Sequence, residues 1–146
     1  MTRPAFDSIR EIPIRSDQEV LELVGGLVGS AIRRQLWLML LDPGSRPLPL
    51  VLPCAIPRRP RRGDDARFAR FVADLVDECD ASAWIVGYER PGDSRLTAAD
   101  RAWAITLGDA ARTSGRRMRG PVMVHDRGAR WMAVDDLLGA GTRSEP

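Results

Sequence analysis

The residues able to do chemistry concentrate in two short stretches. Tyr88, Glu89, Arg90, Asp93, Thr97 and Asp100 bring a phenol, a guanidinium, a hydroxyl and three carboxylates close together in sequence. In that company Glu89 could serve as a general base and Arg90 could clamp an anion, which describes metal-independent chemistry on a small anionic substrate. The same residues also suit a purely structural role. Arg90 can pair with Asp93 or Asp100, Thr97 can cap a helix with Asp100 at its third position, and Tyr88 can pack at the rim. The second stretch is Arg58, Arg59, Arg61 and Arg62. Guanidinium groups pair bidentately with phosphate oxygens, so this loop is a candidate contact for anions or nucleic acid. Its alternative is a solvated loop, partly neutralised by Asp64 and Asp65, that discourages aggregation at a sheet edge. A third group, Arg112, Arg116, Arg117 and Arg119, complements the negative end of a helix.

Composition removes several chemistries. All 22 basic residues are arginine, so Schiff-base and P-loop lysines drop out. His125 is the single histidine, and Cys54 and Cys79 lack zinc-motif spacing. A catalytic zinc normally takes three protein ligands, so a His-rich centre cannot assemble, and no metal or cofactor site is expected. No serine sits in a nucleophile-elbow context, and no catalytic residue can be named. The chain leans away from being an enzyme. Two cysteines are too few for a disulfide framework, which fits a reducing, cytoplasmic setting. No apolar run nears the ~18 residues of a membrane helix, and Met1-Thr2-Arg3-Pro4 does not read as a secretory signal.

With 146 residues, 44% of them hydrophobic and 29% charged, the chain suits one globular domain. Its expected span is 1–139, with 1–15 as an N-terminal extension and 140–146 as a disordered tail. Ser16 to Glu19 reads as a capping box ahead of an apolar helical stripe. Leu36–Leu41 reads as a buried strand, and Pro43-Gly44 as the centre of a type II turn. Leu48–Ile56 returns as an edge strand, because Pro49 and Pro53 cannot donate ladder bonds. Phe68, Phe71, Val72, Leu75, Val76 and Cys79 share one helical face. Ala83–Tyr88 is a central strand, a Thr97-capped helix follows, and two strands around Asp126-Arg127-Gly128 form a hairpin before a short helix over 135–138. The order α-β-β-α-β-α-β-β-α predicts an α/β fold: a three-layer mixed sheet with helices on both faces.

This order is similar to the cytidine-deaminase-like folds, which include the JAB/RadC metal-hydrolase family. RadC-type proteins carry a histidine-rich strand end, a Pro-Ser-Gly-Asp loop, a Ser-x-x-Asp helix start and a downstream hairpin. The stretch from Tyr88 through Pro91-Gly92-Asp93-Ser94 to Thr97 and Asp100 resembles that pattern, with Pro91, Thr97 and Asp100 setting the register. The likeness covers about a third of the chain. Tyr88 and Arg90 stand where the resemblance places two metal histidines, which implies a degenerate, metal-free member. The chain also resembles an uncharacterised actinobacterial family, whose last hairpin closes on a pair like Arg130-Trp131. The expectation is a non-catalytic binding module for a protein partner or for itself, as a homodimer, through the Leu48–Ile56 edge or the last hairpin. Nucleic-acid binding through 58–62 is the second expectation, and no membrane partner is expected.

Overall fold

A computed structural model describes residues 12–132; the expected C-terminal helix at 135–138, the tail and residues 1–11 lie outside that range. Helix α1 (Asp17–Val28) starts where the Ser16 hydroxyl accepts from the Glu19 N–H and the Glu19 carboxylate accepts from the Ser16 N–H, at 3.1 and 2.8 Å. Strands β1 (Gln35–Leu41) and β2 (Pro47–Ala55) follow as a hairpin. Its turn differs from the type II expected. Ser45 N–H donates to the Asp42 carbonyl at 2.8 Å, but the left-handed residue is Ser45 (φ 65°), not Gly44. The Asp42 side chain explains this, because its Oδ1 accepts from both the Gly44 and Arg46 N–H groups and fixes the turn itself.

Helix α2 (Asp64–Glu78) begins after left-handed Gly63, with Asp64 and Asp65 in its first turn. Strand β3 (Ala83–Glu89) is buried along its whole length. Helix α3 (Ala98–Ser114) carries the capping box of Thr97 and Asp100 and ends at left-handed Gly115. Strands β4 (Met118–His125) and β5 (Gly128–Trp131) close the described chain as a hairpin.

The five strands form one mixed sheet in the order β2-β1-β3-β4-β5, in which only β3 and β4 run parallel. Both sheet faces are covered, so the molecule is an α/β protein with helices on either side. On one face Val20, Leu23 and Val24 of α1 pack on Met39, Leu41, Ile85, Val122 and Val124. On the other, Val72 and Val76 of α2 and Trp103 and Leu107 of α3 pack on Leu36, Leu38, Trp84, Val86 and Tyr88. Gly87 admits α1 to the sheet: a Cβ there would sit 2.8 Å from Val24 Cγ1. Each of the four tryptophans donates its indole N–H: Trp37 to Glu89, Trp84 to Arg116, Trp103 to Pro57 and Arg58, Trp131 to Asp17.

Strand β2 lies at the sheet edge, as its prolines require. Backbone donors alternate between the two sides of a strand. Pro53, opposite Trp37, would break the ladder if it turned toward β1, so it turns outward with Val51 and Ala55. Pro49 falls where the register shifts, between Val51 and Pro47. The free edge is therefore irregular and lacks an N–H donor at Pro53.

Candidate functional site

Strand alternation sends the candidate residues of β3 to opposite faces. Tyr88 belongs to the cluster beneath α2 and α3, whereas Glu89 turns toward the side of α1 and the segment before β1. Glu89 is 1% exposed and both of its oxygens are occupied. Oε1 accepts from Gln35 Nε2 and Trp37 Nε1, each at 2.8 Å, and Oε2 from the Ile32 and Arg33 N–H groups at 2.6 and 3.2 Å. Burial by itself would raise its pKa, but these donors outweigh burial and hold the carboxyl below its usual range. Glu89 is thus an anionic anchor for the chain entering β1, with no lone pair free to take a proton.

On the other face Tyr88, Arg90, Thr97 and Asp100 meet in one closed cluster. Arg90 Nε lies 3.1 Å from both oxygens of Asp100, and Arg90 Nη2 lies 2.7 Å from Oδ2. Tyr88 Oη donates to Asp100 Oδ1 at 2.8 Å, and the Thr97 N–H donates to Oδ2 at the same distance. The other Arg90 donors reach backbone carbonyls: Pro91 at 3.3 Å, Asp93 at 2.6 Å and Arg95 at 2.8 Å. All five guanidinium N–H groups are thereby used. Asp93 enters only through that carbonyl; its exposed side chain accepts from the Arg95 N–H, making the loop's own turn. Arg34 donates to the Tyr88 hydroxyl and lies 5.9 Å from the ring centroid.

Electrostatics follow this geometry. Burial opposes charge on Asp100, yet Arg90, the Thr97 N–H and Tyr88 together hold its pKa below the ordinary value. Pairing with Asp100 outweighs burial for Arg90 and raises its pKa further. Burial, then the hydrogen bond to Asp100 and that carboxylate's charge, pushes the Tyr88 phenol far above its usual range, so it stays protonated and donates. The cluster holds one cation, one anion and a neutral donor. Asp100 is the one ionised base among them, and its oxygens are already taken by Arg90, Tyr88 and the Thr97 N–H.

Arg58, Arg59, Arg61 and Arg62 lie apart from this cluster, in the loop before α2, and all are exposed. Trp103 fastens the loop by donating to the Pro57 and Arg58 carbonyls, both at 3.1 Å. Of the later arginines, Arg116 pairs with Asp77 of α2 at 2.7 Å, Arg119 with Asp17 at 3.1 Å and Arg112 with Asp109. His125 lines a cavity of about 420 Å³ with Asp93, Ser94, Asp126 and Arg127, and its Nδ1 accepts from the Arg127 N–H. Burial first, then Arg90 and Arg130, lowers its pKa, so the ring is neutral. Cys54 and Cys79 are free thiols. Among the described residues no group of His, Cys, Asp and Glu forms a metal-ligand set.

Sequence reading missed Arg34, Gln35 and Trp37 as partners of β3. The available signal was Glu89 at the end of an apolar strand, since a carboxylate placed there demands buried donors. Compared with known proteins, the chain matches no family model and no curated sequence.

Proposed function

We propose that this chain is a non-catalytic α/β interaction module, resembling a JAB/RadC domain whose metal position has become a closed ion-pair clasp. The observation that carries the reading is Arg90, 3% exposed, with every donor spent on Asp100 and three loop carbonyls. A guanidinium cannot ligate zinc and repels it, and Asp100 has no lone pair left over for a second cation. The donor set at this position therefore does not suit a divalent metal. Nor does it suit acid–base chemistry, because Glu89 and Asp100 face different sides of the sheet.

Elemental analysis of the purified, dialysed chain tests the reading, together with zinc titration by calorimetry. Zinc well below one equivalent, with no saturable heat, is the expected result. Near-stoichiometric zinc, or turnover that a chelator abolishes, overturns it. A second reading, recognition of an anionic partner through 58–62, is favoured by the exposure of all four arginines there. Acidic protein and nucleic acid share that chemistry.

A further inference from the structure

The arginine loop borders a groove. Leu36, Cys54, Ile56, Phe68, Phe71 and Trp103 line a cavity of about 420 Å³, and Arg61, Arg67 and Asp64 also border it. That volume falls in the ~300–1,000 Å³ range of ligand clefts. Phe71, one of the exposed large apolar side chains among the described residues, is 43% exposed, and its ring lies 6.3 Å from that of Phe68. Beside this apolar floor, residues 57–70 hold six arginines against two aspartates, while the whole chain is only +2, so the remainder is net negative. One of the two, Asp64, is already committed to Arg67 at 2.5 Å and to the Arg61 N–H at 2.6 Å.

Two features identify the occupant. The adjoining β2 edge lacks an outward donor at Pro53 and shifts register around Pro49, so an incoming strand would meet an interrupted ladder. Of the groove aromatics only Phe71 is open to a stacked base: Trp103 is 4% exposed with its N–H engaged, and Phe68 is packed edge-on against Trp84 at 5.8 Å, so successive bases find no second platform. What remains is an apolar trough beside concentrated, partly unneutralised positive charge.

We infer that this groove docks an acidic amphipathic helix of a partner protein, whose apolar anchors fill the trough while its carboxylates meet Arg58, Arg59, Arg61 and Arg62. The inference deepens the interaction-module reading and rests on it for the premise that surface recognition is the task. Apolar anchors at i, i+3 or i+4, and i+7 match a groove of this kind.

The test is selection from a phage-displayed library of random linear peptides about 16 residues long, some four helical turns, against the full chain. A synthetic copy of the most enriched sequence is then measured by fluorescence polarisation. Enriched peptides should show helical apolar spacing and an excess of Asp and Glu. Phe71→Ser should weaken binding by about tenfold or more, as loss of a central anchor does. Arg61→Glu should weaken it more at low salt than at high salt, and circular dichroism should show both variants folded. No enrichment, enrichment without acidic residues, or affinity indifferent to both substitutions overturns the inference. So does a single-stranded oligonucleotide of about 12 nucleotides that binds more tightly than the peptide and responds to the same variants. Peptides that bind elsewhere sink the groove yet keep the module, whereas bound zinc sinks the module in a separate assay.

Discussion

Arg90 and Asp100, one at the exit of β3 and the other in the first turn of α3, form a salt bridge of 2.7 Å with side chains 3% and 0% exposed. A pair this deep is not in itself a large source of stability, because both charges lose their water. Its effect is positional: it ties the strand exit, the 91–95 loop and the helix start into one unit.

Breaking that pair from one side leaves a buried charge without a partner. Arg90→Met should destabilise the fold by ~3–5 kcal/mol, and the double variant Arg90→Met/Asp100→Leu should recover a substantial part of that loss. Arg90→Lys should not rescue, because an ammonium cannot span a carboxylate and three carbonyls. Urea denaturation of the wild type, Arg90→Met, Asp100→Leu and the double variant gives the coupling; equal losses in the single Arg90→Met and double variants would contradict it.

Acid should lower the stability of this protein over two pH ranges. His125, Glu89 and Asp100 all have folded pKa values below their ordinary 6.5, 4.5 and 3.8. For each, the unfolded chain binds protons first as pH falls. Its stabilising contribution is thus complete above the ordinary value and is lost as pH drops toward the folded one. Melting temperature should decline gently below about pH 6.5 and steeply below about pH 4.5. His125→Gln should remove the gentle limb, and Asp100→Asn should flatten the steep one while lowering stability at neutral pH. Calorimetry across pH checks both.

The contact between α1 and the sheet depends on a missing methyl group. Gly87→Ala would push a Cβ to 2.8 Å from Val24 Cγ1 and should cost ~1–3 kcal/mol through overpacking. Adding Val24→Ala should restore part of that, which chemical denaturation of the single and double variants measures.

The β2 edge offers a different kind of test. Restoring an outward donor with Pro53→Thr, alone or with Pro49→Thr, should raise self-association. Light scattering behind size exclusion would register it as concentration-dependent growth in mass. A variant as monodisperse as the wild type would show that Pro53 is not what protects the edge.

Much of this architecture could be read from residue types. Ser16 with Glu19 and Thr97 with Asp100 are local devices, complete within one helical turn, and the structure contains both capping boxes. The apolar runs at Leu36–Leu41 and Ala83–Tyr88 likewise gave two inner strands. Pairing across the sheet was less legible. Nothing local tells that Gln35 and Glu89 stand opposite each other in register, so the donors that hold the Glu89 carboxylate were invisible. Grouping Glu89 with Tyr88 and Arg90 treated sequence neighbours as spatial ones, although a strand separates adjacent side chains onto two faces. The turn at Asp42 went astray for a related reason. Proline and glycine suggested one geometry, and the Asp42 carboxylate imposed another through two backbone N–H groups.

The indole of Trp103 shares its proton between two carbonyls of the arginine-rich segment, so that segment keeps its shape before any visitor arrives. For the helix proposed to dock there, little conformational freedom of the backbone would be surrendered on contact, and binding should be governed by how fast the two molecules meet. Removing that indole with Trp103→Phe would turn a rigid receptor into one that must first be ordered, a difference visible as slower association at unchanged charge.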